Sequence, residues 1–345
     1  IRSNNCEAIQ KFYPVSGEID FSAIIEDDLS GVSSAYYYIR KVNSNGCTRT
    51  DIYKSGKVNM SKGDGDKWSG KFDTTSILDD GEYTIQLIAK DNSGNQTMRY
   101  VDILVDNTAP ITPTITHITR RDTDETVLTC GEEEGGYTPT TQIKIHWNQN
   151  PEFEEDLDGY WFGVLGRMHH QKFDKNATYK NGNMSPGRDF YQYFLSAYDL
   201  VGNESGVAEC GDLILDQDKP NSTITEPVEA TGAGNVVFLN EWEGEIKGTA
   251  SDDTSPIAKV ELSIKNGTDQ YWNGSAWVNG TEADVRFNAN GTDSWSYDFL
   301  TALGLTEIPE DSYTVRSHAV DAAGNIEQAT ELEIVVDRTI PEVNL

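Results

Sequence analysis

Apolar and polar residues alternate along most of this chain, the period of a strand with one buried face, and no segment sustains a helical period. The alternation is clearest at Tyr83, Ile85, Leu87 and Ala89, and again at Tyr191, Tyr193, Leu195 and Ala197. These belong to a repeated pattern, with a third copy running from Tyr313 to Asn325. In each copy a Tyr heads the strand, an Ala follows (Ala89, Ala197, Ala319), and two residues later an Asp (Asp91, Asp199, Asp321) opens the sequence Asp-x-x-Gly-Asn. That ending predicts a hairpin loop in which Gly94, Gly202 or Gly324 takes the left-handed conformation that closes a type I turn with a bulge. A second strand is expected after each turn, with Val101, Ile103 and Val105 alternating in the first copy and Leu332, Ile334 and Val336 in the third. Each copy then ends in an Asp with a Pro four residues on: Asp106 to Pro110, Asp216 to Pro220, Asp337 to Pro341. Proline stiffens a short linker and cannot continue a central ladder, so domain boundaries are predicted near Pro110 and Pro220.

Upstream, GEIDFSAIIEDDLSGV from Gly17 parallels GEIKGTASDDTSPI from Gly244, so the first and last thirds are close relatives. The middle third differs. Ile143, Ile145 and Trp147 form an early strand, with Tyr160, Phe162 and Val164 following across the acidic loop 152–158. The fold class is all-β. AKDNSGN with VDNTAP, AYDLVGN, and AVDAAGN with VDRTIP resemble the closing hairpins and linkers of bacterial Ig-like repeats, of which adhesins and surface stalks are built. The middle third, with Trp147 early and Tyr191 late, is similar to a fibronectin type III module. The resemblance implies three tandem immunoglobulin-like or fibronectin type III-like β-sandwich domains in an elongated array. Residues 1–108 and 220–339 would be Ig-like, 109–219 fibronectin-like, and 340–345 the start of a following repeat or a terminal strand. The head-of-strand tyrosines stand where such domains place a tyrosine corner.

Charge narrows the partners. With 57 acidic residues against 27 basic ones the net charge is −30, which excludes nucleic acid and anionic lipid and makes cations the natural counterparts. Four cysteines fall as Cys6 with Cys47 and Cys130 with Cys210, without close zinc-type spacing, so two disulfides and an oxidising compartment are expected. No apolar run is long enough to span a bilayer. The chain opens on Ile1 without a signal peptide, as expected of a processed or excised extracellular protein. Ten Asn-x-Ser/Thr sequons, Asn59, Asn95, Asn176, Asn203, Asn266, Asn273 and Asn290 among them, permit glycosylation.

Calcium is the candidate cofactor. In a sandwich the loop after the second strand and the loop between the last two lie at the pole where the chain comes in, facing the preceding linker. The first junction would gather Asp106, Asp199 and the loop bearing Glu154, Glu155, Asp156 and Asp158. The second would gather Asp216, Asp218, Asp252, Asp253 and Asp321. Calcium takes six to eight such oxygens. Against this stands a plainer role, each repeat Asp capping its own turn. Trp242, Trp272, Trp277 and Trp295 raise a sugar-binding alternative, although Trp272 and Trp277 flank Asn273-Gly274, a hairpin signal that favours cross-strand packing. The five histidines (His117, His146, His169, His170, His318) form no metal or nucleophile motif, so no catalytic residue is assigned. The reading is a spacer region of an adhesin, stalk, filament or surface layer. Its partners would be neighbouring domains or copies of itself. The alternatives are carbohydrate-binding accessory modules of a secreted glycan-active enzyme, and direct adhesion to another cell surface.

Overall fold

A computed structural model describes residues 12–42, 49–131, 135–148, 156–165, 167–187, 190–228 and 235–343, with the backbone alone at 49–53, 77 and 167–170. Packing divides the chain into two compact units. One holds Ile1–Thr114, Asn148–Thr178 and Phe194–Ala208; the other holds Ile115–Trp147, Tyr179–Tyr193 and Glu209–Leu345.

The first third supplies Tyr13–Val15 (β1), Glu18–Ile24 (β2), Val32–Val42 (β3), Arg49–Tyr53 (β4), Val58–Asn59 (β5), Ser61–Lys62 (β6), Lys67–Asp73 (β7), a helical turn Thr74–Ile77 (α1), Gly81–Asp91 (β8) and Gln96–Val105 (β9). They form two sheets, ordered β1-β9-β8-β3-β4, with β5 on β3, and β2-β7-β6. The alternation read in the sequence sets which faces meet: Tyr37, Ile39, Tyr83, Ile85 and Ile103 from one sheet pack with Trp68 and Phe72 from the other. Val101 departs from that expectation, since 44% of it is exposed.

The middle third supplies Thr114–Arg120 (β10), Thr126–Thr129 (β11), Gly136–Thr138 (β12), Gln142–Asn148 (β13), Leu157–Val164 (β14), Arg167–Asp174 (β15), Tyr179–Asn183 (β16), Tyr191–Asp199 (β17) and Ala208–Leu215 (β18). The antiparallel pair β14–β15 belongs to the first unit. To within a residue, the sheet β11-β10-β13-β16 and the parallel pair β12–β18 belong to the second. Ile143, Ile145 and Trp147 are buried, as are Tyr160 and Phe162. Cys130 and Cys210 form the expected disulfide, closing a loop between residues 80 apart in sequence. Cys6 and Cys47 lie outside the described residues.

The last third supplies Asn221–Glu226 (β19), Val236–Leu239 (β20), Glu245–Ser251 (β21), Ile257–Lys265 (β22), Tyr271–Trp272 (β23), Trp277–Val278 (β24), Phe287–Asn288 (β25), Asn290–Gly291 (β26), Ser294–Asp298 (β27), a helical turn Phe299–Leu303 (α2), Asp311–Asp321 (β28) and Thr330–Val336 (β29). The sheets run β19-β21-β27-β26 and β20-β29-β28-β22-β23-β24, with β25 on β22. Leu332, Ile334 and Val336 are buried as their alternation predicts. Trp242, Trp272 and Trp295 lie in the core and Trp277 packs against it. Trp272 and Trp277 pair across the hairpin, 5.7 Å apart and edge to face. Three of these indoles are core residues and the fourth stands against Trp272 and Tyr313, so all four rings are engaged in packing.

Each repeat tyrosine closes a corner. The hydroxyls of Tyr83, Tyr191 and Tyr313 donate to the carbonyls of Asp79, Ser185 and Pro309 at 2.9, 2.8 and 3.0 Å. Burial pushes the Tyr313 phenol up to about 12, so it stays a donor across the whole working pH range.

Candidate metal centres

The three repeat turns share one construction. The carbonyls of Asp91, Asp199 and Asp321 accept the N–H of Gly94, Gly202 and Gly324 at 3.4, 3.3 and 3.1 Å. Those glycines stand at φ of 91°, 96° and 89°, where a β-carbon would strain the turn. Each aspartate carboxylate then accepts both the backbone N–H and the side-chain amide of the asparagine four residues on (Asn95, Asn203, Asn325) at 2.8–2.9 Å. Self-capping of this kind is reason enough for an Asp at the position. At Asp91 it is the whole story. The Asn95 amide, with lesser help from backbone N–H groups, holds that carboxyl below its ordinary pKa, and Asp91 joins no carboxylate cluster among the described residues.

Asp199 does more. Buried at the end of β17, it meets Asp106 of the linker and Asp156 of the acidic loop, with one oxygen from each within 4.8 Å of the others. The Asn203 amide also reaches back to the linker, donating to the carbonyls of Asp106 at 2.9 Å and Thr108 at 3.3 Å, while its own oxygen accepts from the Ser16 hydroxyl at 2.7 Å. Burial, the adjacent Asp156 carboxyl and the nearby Asp199 push Asp106 up to about 6, against the pull of the Thr108 N–H. Carboxylates this close repel one another unless a proton or a cation lies between them. Without a cation this cluster must hold a proton near neutrality or carry unrelieved repulsion.

The second unit repeats the arrangement at the next linker. Asp216, Asp252 and Asp321 present one oxygen each within 4.8 Å, and Asn325 donates to the Asp216 carbonyl at 3.1 Å. The loop Asp252 is fixed by the N–H groups of Thr254 and Ser255 at 2.8 and 2.9 Å. Asp216 is only 1% exposed; its Oδ1 accepts from the Asp218 N–H at 3.1 Å, while its Oδ2 has no partner. Burial first, then the Asp252 and Asp321 charges, push its carboxyl up; the Ser255 hydroxyl and Asp218 N–H pull it down. Yet the Ser255 hydroxyl is itself buried without a partner at hydrogen-bond geometry, so it acts on Asp216 by proximity and leaves Oδ2 free. A buried, unpartnered carboxylate oxygen costs several kcal/mol as an isolated charge, and a hard divalent cation is the group whose coordination would relieve it. The donor set is oxygen alone, which suits calcium or magnesium and not zinc.

Three of the nine aspartates expected to serve calcium stay outside both clusters: Asp158, Asp218 and Asp253 are exposed, and Asp218 reaches Asp216 only through its backbone N–H. Glu154 and Glu155 lie outside the described residues. Sequence reasoning missed Ser255 and the bridging role of Asn203 and Asn325. The signal for the asparagines was present, since Asp-x-x-Gly-Asn recurs in step with Asp-x-x-x-Pro. Among the sequons, Asn59 and Asn290 are exposed, Asn95 and Asn176 spend their amides on Asp91 and Asp174, and Asn266 and Asn273 cap turns through their oxygens. A glycan on Asn203 would break the bonds that its amide nitrogen makes.

A family model described as bacterial Ig-like domain matches residues 10–107 and again 224–338, more than half of the chain. The chain belongs to the bacterial Ig-like domain family. The two matches fall on the first and last thirds, the pair that the GEI repeats relate, and the middle third lies between them. No curated protein matches the chain. Among solved structures it is similar to the FN1–FN3 domains of chicken CNTN1, at 11% identity over 95% of this chain and 96% of that one, with a TM-score of 0.32. It is similar also to a Ca²⁺-stabilized adhesin with which an Antarctic bacterium binds ice (12% identity, 94% and 70% covered, TM-score 0.34). A third likeness is to a tetra-tandem repeat from the extending region of a large adhesion protein (15%, 94% and 72%, TM-score 0.32). Likenesses at these scores assign no function to this bacterial Ig-like chain.

Proposed function

We propose that this chain is a non-catalytic spacer of an extracellular surface protein, made of three sandwich modules over residues 1–108, 109–219 and 220–339, with calcium holding the joints at Asp106 and Asp216. The observation that carries the reading is the recurrence at both linkers of one arrangement: a linker aspartate, a loop aspartate, a turn aspartate, and a turn asparagine bound to the linker backbone. A turn that needed only capping would look like Asp91. The disulfide supports an oxidising, extracellular setting, and membership of a sandwich family supports a structural role. Calcium would bind the three carboxylates, with backbone carbonyls and water completing its shell, and would exchange their repulsion for a stiff joint. Limited proteolysis tests this: with chelator, cleavage near Asp106–Pro110 and Asp216–Pro220 is expected to accelerate, and calcium should suppress it. Equal rates in both conditions would remove calcium from the joints.

A further inference from the structure

The acidic turn of the last third has a counterpart in the first. Asp27-Asp28-Leu29-Ser30 recurs as Asp252-Asp253-Thr254-Ser255, each shortly after the GEI strand that relates the two thirds. Both turns are held in the same way. The leading aspartate accepts the N–H of the serine, at 2.8 Å from Ser30 and 2.9 Å from Ser255. The residue after the serine then presents its carbonyl to the repeat turn: Gly31 accepts the N–H of Asn92 at 3.0 Å, and Pro256 accepts that of Ala322 at 2.8 Å. Asn92 and Ala322 are the residues that follow Asp91 and Asp321.

The two serine hydroxyls differ. Ser30 Oγ turns back to donate to the Asp27 carboxylate at 3.1 Å, at the exposed surface. Ser255 is only 3% exposed, and its Oγ has no hydrogen-bond partner. It stands instead close enough to the Asp216 carboxyl to act on it. Among the described residues of the second unit, Asp216 Oδ2 and Ser255 Oγ are the only buried side-chain oxygens without a partner, and they are neighbours. Leaving such groups unsatisfied is costly, so two of them together mark a place where a partner belongs. The frame that holds them leaves both oxygens unused. Asn325 joins the Asp216 carbonyl to the Asp321 carboxylate at 3.1 and 2.9 Å, and the Pro256 carbonyl fixes the Ser255 turn beside Asp321.

We infer, resting on the calcium reading of this joint, that Ser255 is a cation ligand whose hydroxyl oxygen joins the carboxylates of Asp216, Asp252 and Asp321 on one calcium ion. The acidic turn then supplies two ligands, Asp252 and Ser255, three residues apart. A neutral hydroxyl adds an oxygen to the set without adding repulsion. That suits calcium, which takes six to eight oxygens, better than magnesium, which keeps several of its waters.

The test titrates calcium into the full chain carrying Asp106→Asn, which leaves the second centre to be read alone. Adding Ser255→Ala is expected to weaken binding about tenfold. In chelator the same variant should melt no lower than its parent, because the hydroxyl has no partner to lose. Ser255→Cys supplies a soft thiolate in place of the hydroxyl, so it should lose calcium affinity and gain affinity for cadmium. A thiolate-to-cadmium absorption band absent from the parent should accompany the gain, and it keeps the test valid even if Ser255→Ala misfolds. Unchanged calcium affinity in Ser255→Ala, or no such band in Ser255→Cys, overturns the inference and leaves calcium at the joint. So does a melting temperature that falls equally with and without calcium, which would make the hydroxyl a plain donor to Asp216. A parent that takes up no calcium at this centre overturns the reading of the joint as well.

Discussion

At the scale of single residues, the same turn aspartate serves in two settings. Asp91 caps its turn and is held in its charged form; Asp199 and Asp321 cap theirs and also face a linker carboxylate. The difference should appear in pH dependence. A carboxyl whose folded pKa lies above its unfolded value contributes stability that is complete below the unfolded pKa and is lost as pH rises through the folded one. For Asp106 that window runs from about 4, the ordinary carboxyl value, to about 6. In chelator, Asp106→Asn is therefore expected to gain in melting temperature relative to the parent as pH rises from about 4 to about 7, and saturating calcium should reverse the ranking. A difference independent of pH would contradict the assignment. Asn325 offers a second check. Its amide joins the Asp321 carboxylate to the Asp216 carbonyl, so Asn325→Ala should destabilise the second unit by about 1–3 kcal/mol in thermal unfolding.

At the scale of elements, the period-2 pattern located the strands that matter, and the Tyr-to-Asp spacing located the corners and turns. What it could not show was the neighbour across each face. Val101 alternates in sequence just as Leu332 does, yet β19 covers one and nothing described covers the other. The acidic loops were legible as charge, but which carboxylates converge depends on side-chain direction. Asp252 joins the cluster and Asp253, its immediate neighbour, points to solvent. Asp216 is legible in sequence as a linker residue, and only its burial shows that one of its oxygens lacks a partner. Two measurements belong to this scale. Tyr313→Phe leaves the Pro309 carbonyl without its donor and should cost about 1 kcal/mol in denaturant unfolding. Reducing Cys130–Cys210 frees a loop 80 residues long and should lower the stability of the second unit by about 4 kcal/mol, with the first third unaffected.

At the scale of the whole molecule, a chain of net charge −30 folds into sandwiches and gathers carboxylates at two linkers, three of the six (Asp199, Asp216, Asp321) buried, where repulsion is less screened than at the open surface. Such an arrangement costs stability without cations and would gain it with them. Family membership and the all-β class follow from repeats that the sequence displays openly. The joints depend on residues from distant parts of the chain, and so become visible only in three dimensions. The central claim is that Asp106 and Asp216 each anchor a divalent cation site. Isothermal titration of the chelated protein with calcium, at physiological salt to suppress diffuse binding to the polyanion, tests it most directly. Two saturable sites are expected, one lost in Asp106→Asn and the other in Asp216→Asn, with a rise in melting temperature on filling them. No saturable heat, or binding that both variants leave intact, would contradict it.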